Sequence, residues 1–212
     1  MSAASIANLR KLFEAELTEH PDQYHSVDID RVRTQDWQVK RFLLGHPDNE
    51  SKAFDALCKA LRWKKSFGVH DRDDAYFPRE LWEMSGAEIS GRDKHGHLVH
   101  WGVAKRLRKS KSPKARLLME QFVVHILERL DASAGEAGYI VVVDSNGAGV
   151  ANVDLDMAKF VISILDYYQN GLRGSYTVDL PWLLNSIMKL VMTFLSAKMR
   201  EKVHFEIGRA HV

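Results

Sequence analysis

The chain predicts an α/β fold, a mostly parallel sheet flanked by helices, with an N-terminal helical lobe ahead of it. Three observations predict this. Residues 139–143, Tyr139-Ile140-Val141-Val142-Val143, are a short unbroken apolar run of the kind buried on both faces of a parallel sheet. Around that run, strand-like and helix-period segments alternate through the last two thirds of the chain, the order that builds helices onto a parallel sheet. The first third instead carries apolar residues only at helical spacing.

In the lobe, Ile29, Val32, Trp37, Val39, Phe42 and Leu43 recur at three- and four-residue steps, predicting one helix over 29–44. His46-Pro47-Asp48-Asn49 supplies the turn after it. A second helix is expected over 51–67, with Phe54, Leu57, Leu61 and Trp63 inward and Gly68 as its stop. Farther on, 87–89 and 98–103 are β-prone runs on either side of Gly91-Arg92-Asp93-Lys94-His95-Gly96, which reads as a hairpin connection. Residues 114–130 place Leu117, Leu118, Phe122, Val123, Ile126, Leu127 and Leu130 on one helical face. A further helix over 155–168 turns Phe160, Val161, Ile164, Leu165 and Tyr168 inward, and a strand separates it from Leu180-Pro181.

The segment after that proline is the most unusual in the chain. Ten of its fourteen residues, 182–195, are apolar, with only Asn185, Ser186, Lys189 and Thr193 between them. An amphipathic surface helix buries one stripe, so a helix apolar on nearly every side needs protein or lipid around it. It is too short to span a bilayer, which takes about 20 apolar residues. Two readings follow: a fully buried core helix, or a helix that faces a cavity on one side and a membrane on the other.

Composition narrows the function. At 212 residues and 45% hydrophobic content the chain is long enough to bury a sizeable core. One cysteine, Cys58, excludes an internal disulfide framework and suits a reducing compartment. No apolar stretch after basic residues opens the chain, so it reads as cytoplasmic. The net charge is only +2, yet Lys105, Arg106, Arg108, Lys109, Lys111, Lys114 and Arg116 share one window with no acid among them. Such a window suits anionic lipid surfaces or nucleic acid phosphates, and equally a solvated loop.

Little points to catalysis. Asp144-Ser145-Asn146-Gly147-Ala148-Gly149 could cradle a phosphate but has no G-K-[ST] ending, so a nucleotide-binding enzyme is the weakest alternative. His95, His97 and His100 lack an acid or cysteine at ligand spacing, and no metal site is predicted. Ser145 is outside any G-x-S-x-G, and Cys58 has no evident histidine partner.

Taken together, several motifs resemble the CRAL-TRIO lipid-binding family over residues 30–205. They are Lys40-Arg41-Phe42-Leu43, then Ala53, Leu57, Leu61, Trp63-Lys64 and Gly68-Val69, with Lys64 where arginine is usual. They continue with the G-x-D-K-x-G turn at 91–96, Val142-Val143-Asp144 with Gly147 and Gly149, Tyr167-Tyr168, and Asp179-Leu180-Pro181-Trp182 before the apolar helix. Within the family, Arg10-Lys11-Leu12-Phe13-Glu14-Ala15-Glu16 and Pro181-Trp182-Leu183 are most similar to members that continue into a motile sperm domain and a C-terminal anchor in the endoplasmic reticulum membrane.

The resemblance implies a non-enzymatic domain, helical lobe 1–70 and lipid-binding domain 71–205. It would hold a hydrophobic ligand, a phospholipid or other lipid, with no cofactor besides that lipid. Leu155, Phe160, Ile164 and Tyr168 would line the cavity. Trp182, Leu183, Ile187, Leu190, Val191 and Phe194 would form a mobile gate. The family's headgroup positions fall on Asn170, where glutamate is usual, and Lys202. Lys105, Arg106, Arg108, Lys109 and Lys111 would dock on an anionic membrane surface, and no nucleic acid partner is expected. Localisation would be cytoplasmic and peripheral to membranes, or at the endoplasmic reticulum, including membrane contact sites, if a full-length form carries the anchor. A protein-interaction or tethering module with a vestigial cavity is the alternative. Residues 206–212 are what the sequencing-adapter sequence GAG ATC GGA AGA GCA CAC GTC would encode, and they are expected to be a non-native tail on a fragment. A source transcript reading unchanged through Glu206 would refute that.

Overall fold

The computed structural model describes residues 2–85, 88–109 and 112–207. Ala87 of the predicted first strand, Lys111 of the basic window and residues 208–212 of the predicted tail lie outside the described residues. The chain divides into two compact units, Met1–Asp73 with Leu165–Gly171, and Asp74–Ile164 with Leu172–Val212.

The first unit is helical. α1 (Ala3–Glu19), which the sequence reading did not define, starts where Ser2 caps the Ser5 amide at 3.1 Å and buries Ile6, Leu9 and Phe13. The helix predicted over 29–44 is two helices, α2 (Ser26–Thr34) and α3 (Asp36–Gly45), because Gln35 takes extended backbone between them. Nothing in the Thr34-Gln35-Asp36 composition signals that break. α4 (Glu50–Phe67) is bounded as expected: Asn49 caps the Lys52 amide at 2.9 Å, and Gly68 ends it in the left-handed region at φ 70°. A side chain at Gly68 would be strained there.

Leu9, Phe13, Val32, Val39, Phe42, Leu43, Leu57 and Leu61 form the core of this unit. Among them sits a buried polar group: Asp28 faces Lys64 Nζ at 3.9 Å and His70 Nε2 at 3.0 Å. Residues 165–171 complete the unit. Trp63 stacks on Tyr167 at 4.4 Å, Lys64 lies 4.7 Å from the Tyr168 ring centroid, and the buried Arg41 donates from Nε to the Gln169 carbonyl at 2.6 Å.

In the second unit, α5 (Arg79–Ser85) precedes β1 (Glu88–Arg92) and β2 (Leu98–Val103), an antiparallel pair. Asp93 shapes their connection, its Oδ1 accepting from the His95 and His97 amides at 2.9 and 2.8 Å. α6 (Pro113–Ala134) is capped by Ser112 with Pro113 in its first turn, and leads to β3 (Tyr139–Asp144). α7 (Leu155–Ile164) leads to β4 (Leu172–Leu180); the helix predicted over 155–168 ends as α-helix at Ile164 and tightens to a 3₁₀ turn over Leu165–Tyr168. A 3₁₀ turn over Trp182–Leu184, α8 (Asn185–Thr193) and α9 (Ala197–Arg200) then precede β5 (Val203–Ile207).

The strands lie in sequence order, β1 to β5, and β2 through β5 are parallel. Glu206 and Ile207, the first residues of the predicted tail, continue β5. Two burial expectations are corrected. In β3 only Tyr139 is buried, the following residues being half-buried, so the strand is not enclosed on both faces. Leu117, in the first turns of α6, is exposed.

Candidate functional site

Parallel strands place their C-terminal ends at one edge, where open α/β sheets gather ligand-contacting loops. Val103 is in register with Asp144, Asp144 with Val178, and Leu180 with Ile207. The chain leaves β4 through Asp179 at φ 50° and Pro181, a turn that throws the next segment out of the sheet. Asp tolerates the left-handed region better than most side chains.

The segment at 182–195 is not the fully buried helix that its composition allowed. It opens as a 3₁₀ turn and continues as α8, none of whose residues is buried. Its two ends are fixed instead. Leu184 packs with Leu180 and Ala148 and is met by Ile187, Met188, Ala104, Val153 and Phe205, while Leu195 is buried beyond the other end. Trp182 is 72% exposed, Leu183 53% and Leu190 44%. Ile187, Val191 and Phe194 are half-buried. One contact to α7 is polar: Lys159 Nζ lies 4.9 Å from the Phe194 ring centroid, a cation–π pair that sequence reasoning missed.

The four predicted lining residues are divided. Leu155 and Phe160 are half-buried on α7 and Ile164 is buried at its end. Tyr168 is buried in the helical unit beside Lys64. The headgroup candidates are divided too. Asn170 belongs to the helical unit, holds φ 58° and donates from Nδ2 to the Arg41 carbonyl at 2.7 Å. Lys202 belongs to the sheet unit and donates from Nζ to the Leu172 carbonyl at 2.7 Å. Burial, reinforced by Lys198 and Arg173, pushes the Lys202 ammonium below its ordinary pKa.

The basic window is divided: Lys105 to Lys109 follow β2 at its C-terminal end, while Lys114 and Arg116 lie on α6, where Arg116 pairs with Glu120 and Asp156. Lys105 and Arg106 follow β2 in a 3₁₀ turn, and Lys105, Arg106, Arg108 and Lys109 are exposed. A cavity of about 210 Å³ lies elsewhere in this unit, lined by Trp82, Ile89, His100, Ile126, Arg129 and Leu130. There, burial lowers the His100 pKa, and Asp74 binds Arg129 at 2.6 Å and His125 Nε2 at 2.8 Å. Hydrogen bonds from His125 and Arg129 outweigh burial and hold the Asp74 carboxyl below its usual range.

The turn at 144–149 is not arranged as a phosphate cradle. Four of its amides are already committed: Ser145 to the Val178 carbonyl, Asn146 to Asp144 Oδ1, Ala148 to the Ser145 carbonyl and Gly149 to Asn152 Oδ1. A 3₁₀ turn, Val150–Asn152, follows it, where a phosphate loop would open an α-helix.

With that edge, gate-position helix and sheet order in place, comparison with known proteins gives the class. Residues 84–208 match the CRAL/TRIO domain, and the chain belongs to this family, whose members typically bind hydrophobic ligands such as lipids and are generally non-enzymatic. It is 23% identical over 193 residues to Sec14 cytosolic factor of Schizosaccharomyces pombe, covering 81% of this chain and 66% of that protein. It is also 23% identical over 214 residues to clavesin-1 of Xenopus laevis, covering 89% of this chain and 63% of that protein. The chain thus spans just under two thirds of the length of these relatives. The crystal structure of Sfh5 shares the fold at a TM-score of 0.75, 19% identity, 95% of this chain and 79% of that one. Among the described residues no helix is long and apolar enough to cross a membrane.

Proposed function

We propose that the chain binds a lipid in an apolar cavity of its CRAL-TRIO domain, read as residues 71–205 behind a helical lobe at 1–70, and carries it between membranes. The observation that supports this most is α8: an apolar helix fixed at Leu184 and Leu195 with no buried residue between its ends. Such a helix can exchange a protein-facing surface for a lipid-facing one at small cost, since both surroundings are apolar.

In this reading Trp182, Leu183, Ile187, Leu190, Val191 and Phe194 are the gate. Leu155, Phe160 and Ile164 line the ligand site, which enlarges as α8 leaves α7, while Tyr168 is buried in the helical unit and is not placed in that site. Each buried CH₂ of an acyl chain contributes about 0.8 kcal/mol to binding. Asn170 and Lys202 are the headgroup candidates, and the loss of a carboxylate at Asn170 argues against specificity for phosphatidylinositol. The loop cations Lys105, Arg106, Arg108 and Lys109, with Lys111, dock the domain on an anionic surface. A cytoplasmic setting agrees with the Sec14 cytosolic factor relationship. Attachment to the endoplasmic reticulum belongs to the motile-sperm-domain branch of the resemblance and requires a longer protein.

Lipids extracted from the purified chain and identified by mass spectrometry test the reading. One lipid class near one-to-one stoichiometry is expected. Phe194→Asp replaces a gate ring by a carboxylate beside Lys159, holding α8 to α7, and should abolish loading. Well-folded protein that carries no lipid and takes none from vesicles would favour the tethering module instead.

A further inference from the structure

Three loops leave the C-terminal edge of the sheet side by side, and each ends in exposed apolar side chains. After β2 comes Leu107, 41% exposed; after β3, Val150, 56% exposed; after β4, Trp182 and Leu183. They rise from one apolar plug. Ala104, Ala148 and Leu184, each two or three residues from a tip, share a cluster with Leu180.

The first two tips are also tied together. Asn152 Nδ2 donates to the Lys105 carbonyl at 3.0 Å and the Leu107 carbonyl at 2.9 Å, and its Oδ1 accepts from the Gly149 amide at 2.9 Å. Arg108 Nη1 adds a second bond to the Lys105 carbonyl at 3.1 Å. The Lys105 and Leu107 carbonyls are therefore satisfied within the protein, and the bonds that pair the two tips involve no residue of α8, although Ile187 and Met188 of α8 pack on the same plug.

Charge surrounds them asymmetrically. Lys105, Arg106, Arg108 and Lys109 flank Leu107 with no acid among residues 104–109. The nearby Asp144 and Asp154 spend carboxylate oxygens on backbone amides, and Asp156 pairs with Arg116.

We infer that Leu107, flanked in its loop by the exposed Lys105, Arg106, Arg108 and Lys109, and Val150, tied to that loop through Asn152, form a fixed membrane anchor that inserts into an anionic bilayer surface. Separate anchor and gate let α8 move while the domain stays docked. Apolar tips alone would suit many partners, but an apolar tip flanked by four exposed cations matches a surface that is anionic outside and hydrocarbon beneath. This rests on the lipid-carrying reading for its purpose but not for its test.

The test is sedimentation of the chain with vesicles of phosphatidylcholine, with or without phosphatidylserine, at low and high salt, alongside extraction of co-purified lipid. Leu107→Ser with Val150→Ser should lower binding to phosphatidylserine vesicles about tenfold, both side chains being too exposed for folding to suffer. Neutralising the four cations to glutamine should remove the phosphatidylserine and salt dependence, each charge accounting for about fivefold. Binding by the double serine variant equal to the parent overturns the anchor, whether or not lipid is carried. Binding to heparin without binding to vesicles also overturns it. Vesicle binding lost in the double variant, from a parent that carries no lipid, supports the anchor and removes the lipid-carrying reading instead.

Discussion

α4 buries Ala53, Leu57, Cys58, Ala60, Leu61 and Lys64, whereas α8 buries nothing along Asn185–Thr193. By composition α8 is the more apolar of the two. The difference lies in their neighbours. α4 packs against α1 and α3, and a lysine on it is buried because Asp28 and the Tyr168 ring receive its charge. α8 is anchored by buried residues only beyond its ends, its own Ile187 and Met188 packing in part on the Leu184 cluster, so its apolar side chains are exposed or half-covered. Apolar content says that a helix needs an apolar environment, and only the packing says whether protein supplies it.

The comparison can be broken by equivalent truncations. Leu57→Ala, in the densest part of the helical unit, should cost about 3 to 4 kcal/mol in denaturant unfolding, as transfer and cavity terms combine. Asp28→Ala removes the buried carboxylate that faces both Lys64 and His70 and should cost about 3 kcal/mol. Leu184→Ala, at the fixed end of the proposed gate segment, should cost about 2 kcal/mol and, on the lipid-carrying proposal, raise the rate of lipid exchange. Leu190→Ala, in the middle of α8, should change stability by less than about 0.5 kcal/mol. A loss at Leu190 comparable to that at Leu57 would mean that α8 is an ordinary packed helix.

A smaller effect separates the sheet unit by pH. Burial holds the His100 pKa below its ordinary 6.5, so the unfolded chain binds the proton first as pH falls. Stability should therefore decline on acidification below pH 6.5 and level off once the folded form also protonates. His100→Gln should flatten the melting temperature across that window. An unchanged slope would assign the decline to other groups.

Much of this architecture was legible in the residues. Gly68 marked the end of α4, and the apolar run at Tyr139 located a parallel strand. What escaped depended on contacts distant in sequence. Gln35 is no helix breaker, so the division of α2 from α3 was not marked by a proline or glycine, whereas α1 was locally legible after all, its Ile6, Leu9, Phe13 and Leu17 recurring at three- and four-residue steps. At the site, the apolar character of 182–195 was plain but its exposure was not. Leu107 stood isolated in a basic run, the one local hint of an interfacial side chain. Its pairing with Val150 required β2 and β3 to be neighbours. Asn170 looked like a headgroup ligand by alignment of motifs, yet its conformation and its bond to Arg41 also give it a backbone role.

The bond from Arg41 to Gln169 spans 128 residues. During synthesis at about 5 to 20 residues per second, on the order of 10 s separates the emergence of these two partners. The helical unit begins to leave the ribosome ahead of the sheet unit and cannot be finished first, because its last segment arrives only after β3 and α7 have been made. Until then Arg41 waits without the Gln169 carbonyl, and Trp63 and Lys64 without the rings of Tyr167 and Tyr168. A nascent chain stalled short of residue 165 should thus be open to proteolysis even in its N-terminal helices.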